Sequence, residues 1–244
     1  MKLVTFILNS FGLKFFTTNF DDISTDFIDK QGKQSFQNFC QLFIMNILIF
    51  GHSIIHKMSL ALPNKDGNYV ESLRLSESLS NVNMQGISGL SLARAQRLIL
   101  FKDYFDVDIV FIQIGGNDFK KNSSSCSSPS DTAAEMMKLA DSIKNQFPRV
   151  KKIVFGALLP RFNSIKFHLT AEDAAIYRKW AAEVNTQLLI QCNGNEWVDI
   201  WFHNDYFTSH SASNFSDGIH FNAVGQRKYF KSVRGAIICT LKKM

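Results

Sequence analysis

The chain has 244 residues, 45% hydrophobic and 20% charged, which is an ordinary globular composition and suits one large domain better than two. Cys40, Cys126, Cys192 and Cys239 lie far apart with no Cys-x-x-Cys or Cys/His ligand spacing, so neither a disulfide framework nor a zinc site is implied; the expectation is reduced thiols in an intracellular, cytoplasmic protein. The net charge of +6 permits contact with nucleic acid or anionic lipid but is equally that of a solvated helix face.

The first 44 residues differ from the rest. "MKLVTFILNSFGLKFFTTNF" is rich in Phe and shows no clean period of 3.6 or 2. Lys2 and the apolar stretch behind it lack the cleavage site of a signal peptide. "DDISTDFIDKQGKQSFQNF" is polar and linker-like. Residues 1–44 therefore read as an appendage, or alternatively as a capping helix, and the main domain is expected over 45–244. No segment reaches the roughly 18 continuous apolar residues of a membrane span.

From Met45 strand and helix patterns alternate. "NILIF" (46–50), "DIVFIQIG" (108–115), "KKIVFGAL" (151–158) and "EWVDIW" (196–201) read as buried strands. Helices are expected from near Ile54, over 91–101, over 130–147 up to Pro148, over 170–192 with Thr170 as N-cap, and over 222–243 with Asn222 as cap. Repeated strand–helix units predict a parallel sheet covered on both faces. In such sheets ligands bind beyond the carboxyl ends of the strands, so the residues that follow strands are the ones to test.

Four stretches qualify. Ser53 follows the first strand in "FGHS", where Gly51 allows a turn and the next helix brings its positive end. Ile55 stands where a G-x-S-x-G elbow needs its second glycine, and Ser53 can equally be a helix cap. "GISG" (86–89) allows close backbone approach, with Gly89 N–H available to a ligand; a plain turn is the other reading. "IGGNDF" (114–119) ends the strongest strand, and the Asn117 amide can donate to a developing oxyanion. In "SDGIHFN" (216–222) Asp217 and His220 are three apart, so the carboxylate can orient the imidazole and leave its other nitrogen for the Ser53 proton. His52 and His56 are four apart, but no Glu follows His52 as a zinc-peptidase helix requires.

Each motif alone is weak; their order is what carries information. From Met45 onward the chain resembles the SGNH hydrolase superfamily, or GDSL-like esterases, whose marks are a Ser, a Gly, an Asn and a His in that order. "FGHS", "GISG", "GGND" and "DGIH" match them. The Gly-His-Ser block, "LLPR" (158–161) and "YRKWAAEVNTQL", with its Tyr177 and Asn185, resemble a subgroup from invertebrate genomes and retrotransposon reading frames. The resemblance implies a three-layer α/β/α sandwich with about five parallel strands. It implies Ser53 as nucleophile, His220 as base and then acid, Asp217 as its orienting partner, and an oxyanion hole from Ser53, Gly89 and Asn117. The substrate would be an acetyl or short-acyl ester of a lipid, glycan or other small molecule, with no metal and no cofactor. His52 departs from the family, which has Asp there. The rival expectation is an accessory module that binds nucleic acid or membrane through the basic closing helix, which carries Arg227, Lys228, Lys231, Arg234, Lys242 and Lys243.

Overall fold

The computed structural model describes residues 2–9, 12–19, 44–61, 73–75, 80–99, 107–119, 128–206 and 211–244. The chain divides into two compact units, Met1–Phe43 and Ile44–Met244. In the first, β1 (Lys2–Asn9) pairs antiparallel with β2 (Gly12–Asn19), from Lys2 opposite Asn19 to Asn9 opposite Gly12. The missing period has a simple cause: Val, Ile, Phe and Thr occupy successive positions, so β-propensity is high while no alternation shows. This part of the first 44 residues is a strand hairpin, not the capping helix of the alternative expectation.

The second unit carries a five-stranded sheet of β3 (Met45–Gly51), β4 (Ser80–Gly86), β5 (Ile109–Gln113), β6 (Lys152–Gly156) and β7 (Val198–Trp201). All pairings are parallel, in the order β4-β3-β5-β6-β7. Four of these strands are the four apolar runs of the sequence. The fifth, β4, reads "SNVNMQG" and lacks an apolar run. It forms an edge, where one partner suffices and where Asn81 and Asn83 are exposed.

Successive strand residues point to opposite faces, and both faces are covered. Leu48, Phe50, Val110, Ile112, Ile153 and Phe155 belong to one core with α2 (Leu92–Ile99), α3 (Pro129–Gln146) and α4 (Ala171–Cys192). Ile47, Ile49, Ile109, Phe111 and Val154 belong to the other, with α1 (Ser53–Ala61) and α5 (Ala223–Lys243). The architecture is thus a three-layer α/β/α sandwich. Local signals start its helices. Thr170 and Asp173 form a capping box on α4, and Asn222 caps α5 by accepting from Gly225 N–H at 3.0 Å. Helix α3 begins slightly earlier than its Ser130-Asp131 pattern indicates: Ser128 is the cap and Pro129 fills the first turn. Among the described residues no helix is long and apolar enough to cross a membrane.

The strand order places the topological switch between β3 and β5. The chain leaves β3 for β4 on one side, then crosses to β5 on the other. The crevice beyond these two carboxyl ends is where the rule for open α/β sheets puts a ligand, and Ser53 and Asn117 follow those two strands.

Candidate active site

Gly51 is the last residue of β3, and it is a glycine for want of space. A Cβ there would lie 2.3 Å from the carbonyl oxygen of Gln113 on β5. His52 N–H donates to the same carbonyl at 3.1 Å, which holds the chain against β5 as it enters α1. Ser53 is then the first residue of α1. It does not cap the helix. That place belongs to His52, whose Nδ1 accepts from Ile54 N–H at 3.4 Å. The residue type that departs from the family's Asp thus still supplies an acceptor to the first turn of the helix. The ring can do so because it is neutral. Burial first, then the charge of Arg161 and His220, lowers the His52 pKa from the ordinary 6.5 to about 3.

With its cap supplied by the neighbour, the Ser53 hydroxyl is available. His220 Nε2 lies 3.1 Å from Ser53 Oγ, 167 positions along the chain. His220 Nδ1 lies 2.9 Å from Asp217 Oδ2. The other carboxylate oxygen, Oδ1, accepts from the backbone N–H groups of His220 (2.7 Å) and Ile219 (3.1 Å). Asp217 thereby grips its own loop as well as the ring. Burial alone would raise its pKa, but the His220 backbone N–H, the His220 ring and the Ile219 N–H together hold the carboxyl below its usual value.

The loop is pinned at both ends. Phe215 and Phe221 form an isolated antiparallel bridge, and Ser216 N–H donates to His220 O at 2.8 Å. Their rings are 4.9 Å apart and both pack against Tyr206, with Phe221 also against Tyr229. At the tip, Phe162 N–H donates to Gly218 O at 2.8 Å.

Gly89 and Asn117 lie on turns tied to this region. Gly89 is exposed, with φ +69° in the left-handed region that favours glycine. Its turn is fastened to β3 by Ile87 N–H donating to Gly51 O at 2.9 Å. Asn117 Nδ2 donates to Leu90 O at 3.1 Å, so the turn after β5 holds the turn after β4. Asp118 grips the same stretch: its two carboxylate oxygens accept from Leu92 N–H, each at 3.1 Å, at the start of α2. Hydrogen bonds therefore join all three segments that carry Ser53, Gly89 and Asn117.

Two further residues border the site. Arg161, the last residue of "LLPR", donates to Asn117 Oδ1. Phe167 packs its ring edge-on to His220 with centroids 5.5 Å apart. It belongs to the turn closed by the Ser164–Leu169 bridge, whose tip presents Ile165 at 95% exposure. No sequence signal marks Phe167; its loop and that of His220 are joined by the Phe162 N–H bond to Gly218 O. Of the loops expected to shape substrate choice, 161–170 is described, whereas the greater part of 61–80 and of 119–130 lies outside the described residues. Among the described residues no group of three or more His, Cys, Asp or Glu could hold a metal ion.

The family model for GDSL-like lipase/acylhydrolase matches residues 47–233, more than three quarters of the chain. The chain belongs to the GDSL-like lipase/acylhydrolase family. Solved structures of this fold include Est24, a carbohydrate acetylesterase from Sinorhizobium meliloti (TM-score 0.57, 16% identity, 80% of this chain and 99% of that chain covered). A GDSL-like lipase from Bacteroides thetaiotaomicron superimposes with TM-score 0.58 at 14% identity, over 85% of this chain and 97% of that one. The aryl esterase of M. smegmatis gives 0.55 at 17%, over 80% and 99%. Identities this low speak for the fold alone. No curated protein sequence matches. Within the GDSL-like family, the Ser and His blocks of this chain are the segments that the fold brings into hydrogen-bond contact.

Proposed function

We propose that this GDSL-like protein is a serine esterase acting on acetyl or short-acyl carboxylic esters. The observation that carries the reading is the chain of contacts from Ser53 Oγ to His220 Nε2 (3.1 Å) and from His220 Nδ1 to Asp217 Oδ2 (2.9 Å). His220 takes the Ser53 proton as Oγ attacks the ester carbonyl carbon. The carbonyl oxygen becomes an oxyanion, held by Ser53 N–H, Gly89 N–H and Asn117 Nδ2. The imidazolium, stabilised by Asp217, protonates the departing alcohol as the C–O bond breaks. Water then attacks the acyl-enzyme and gives a proton to His220, which passes it to Ser53 Oγ as the acyl–Oγ bond breaks and the acid leaves. The helix N-terminus at Ser53 adds positive potential where negative charge develops.

The subgroup with a Gly-His-Ser block fits the same reading, since a neutral His52 keeps the cap on α1 without adding a charge. The accessory-module alternative gains nothing from the described residues. Tyr229, Phe230, Val233, Ala236 and Ile237 of α5 are core, and Arg234 Nε donates to Leu73 O (3.0 Å) while Lys243 pairs with Asp199 (3.4 Å).

The test is hydrolysis of chromogenic esters of increasing acyl length by the purified protein and by Ser53→Ala. Turnover that is highest for short chains and lost in Ser53→Ala is expected. A Ser53→Ala variant as active as the parent would sink the proposal.

A further inference from the structure

The oxyanion hole of this reading depends on one side-chain amide, and a single bond to Leu90 O leaves that amide free to swing. The second contact comes from Arg161. Its Nη2 donates to Asn117 Oδ1 at 3.2 Å and to Gly116 O at 2.8 Å. One nitrogen thus bridges the side chain of Asn117 and the backbone that carries it, using both of its protons. The polarity is unambiguous: a guanidinium only donates and a carbonyl only accepts, so Oδ1 faces Arg161 and Nδ2 faces Leu90. One N–H of Nδ2 goes to Leu90 O, and the other remains for a ligand.

Arg161 is itself held from α4. Its guanidinium carbon lies 4.4 Å from the centre of the Tyr177 ring, a cation–π contact against a buried face. Three residues back, at the first residue of "LLPR", the chain is clamped by Asn185. Its Oδ1 accepts from Leu158 N–H at 2.7 Å and its Nδ2 donates to Leu158 O at 3.1 Å, as a neighbouring strand would. The charge of Arg161 is felt inside the site, where it is the second cause, after burial, of the lowered His52 pKa.

We infer that Arg161 is a positioning residue: it fixes and polarises the Asn117 amide for the oxyanion, and Tyr177 and Asn185 on α4 exist at these positions to hold it there. The inference rests on the esterase reading. A charge-assisted hydrogen bond to Oδ1 draws electron density from the amide and makes the remaining Nδ2–H a stronger donor. Because that donor matters most once the oxyanion forms, its loss belongs in kcat.

The experiment is a double-mutant cycle on ester hydrolysis with Arg161→Ala, Asn117→Ala and the double variant, each checked for folding by circular dichroism. Arg161→Lys provides a second cycle should Arg161→Ala misfold. Arg161→Ala is expected to lower kcat roughly 10–100-fold with KM nearly unchanged, less than the roughly 10²–10³ of a lost oxyanion donor. The double variant should be no slower than Asn117→Ala. Added guanidinium should restore part of kcat to Arg161→Ala and none to the double variant. Independent, multiplicative losses would overturn the inference, as would an Arg161→Ala effect confined to KM, which would make it a substrate-binding residue. If Ser53→Ala retains full activity, or Asn117→Ala leaves kcat unchanged, the esterase reading or its oxyanion assignment has failed, and Arg161 has no such role to play.

Discussion

Acid should destabilise this protein through His203 and His52, and replacing His203 should remove about half of what these two histidines contribute. His203 follows β7 and is fully buried. Gln113 Nε2 donates to the carbonyls of Gly156 and Ala157, which turns its Oε1 towards Tyr229 OH (2.9 Å) and His203 Nε2 (3.1 Å). His203 therefore carries its proton on Nε2. Its Nδ1 accepts from Ser232 Oγ at 2.9 Å, and Ser232 in turn accepts from Trp201 Nε1 at 3.0 Å. A second proton would put a charge in the core and remove the acceptor that Ser232 uses. Burial accordingly lowers the His203 pKa from 6.5 to about 3, close to that of His52.

Both folded pKa values lie below the unfolded one, so between pH 6.5 and 3 the unfolded chain binds more protons. The stability is complete above about 6.5 and is lost as pH falls, at about 1.4 kcal/mol per unit for each histidine. From about pH 8 to pH 5 the two together cost about 4 kcal/mol, a large part of the roughly 5–15 kcal/mol of a typical domain. Urea unfolding of the parent and of His203→Gln, followed by tryptophan fluorescence, measures it. The variant starts less stable, because a packed ring is lost. Its further loss on going to about pH 5 should be smaller than the parent's by about 2 kcal/mol, since all other groups cancel in the comparison. Equal losses in the two proteins would refute the claim that His203 is held neutral.

Four other outcomes are expected. Asn117→Ala should lower kcat by roughly 10²–10³ with little change in KM; an effect on KM alone would move Asn117 from the oxyanion to the bound substrate. Asp217→Asn should lower kcat/KM less than His220→Ala, because the carboxylate orients the ring from 2.9 Å but transfers no proton; a loss as large as that of His220→Ala would count against this division of roles. His52→Ala should keep measurable esterase activity while losing about 1 kcal/mol or more of stability with its cap, whereas Ser53→Ala and His220→Ala fall to residual rates; folded His52→Ala as inactive as Ser53→Ala would reverse the assignment. Phe167→Ala should raise KM for esters with bulky apolar groups more than for acetyl esters, and equal effects across the series would deny Phe167 a place in the substrate site.

The parts readable from the sequence are those governed by neighbouring residues. "NILIF" and "DIVFIQIG" announce strands β3 and β5 because buried parallel strands need unbroken apolar runs. Thr170 and Asn222 announce α4 and α5 because a cap bonds within its own first turn. The order of the four motifs was likewise readable as a family resemblance, and with it the three-layer sandwich. Strand β4 was not, since "SNVNMQG" is a strand only through its pairing with β3. Neither was the role of His52. Whether Ser53 capped α1 or stood free depended on the ring beside it, whose neutrality comes from burial and from Arg161, 109 positions later in the chain. The contact of Ser53 with His220 across 167 positions, the hold of Arg161 on Asn117, and Phe167 against His220 all join residues on different loops. Such contacts have no local signal, because a side chain's propensity acts over a few residues whereas its partner is set by how the sheet orders its strands. The switch between β3 and β5 brings those loops to one end of the sheet, and only there do their residues form a candidate site.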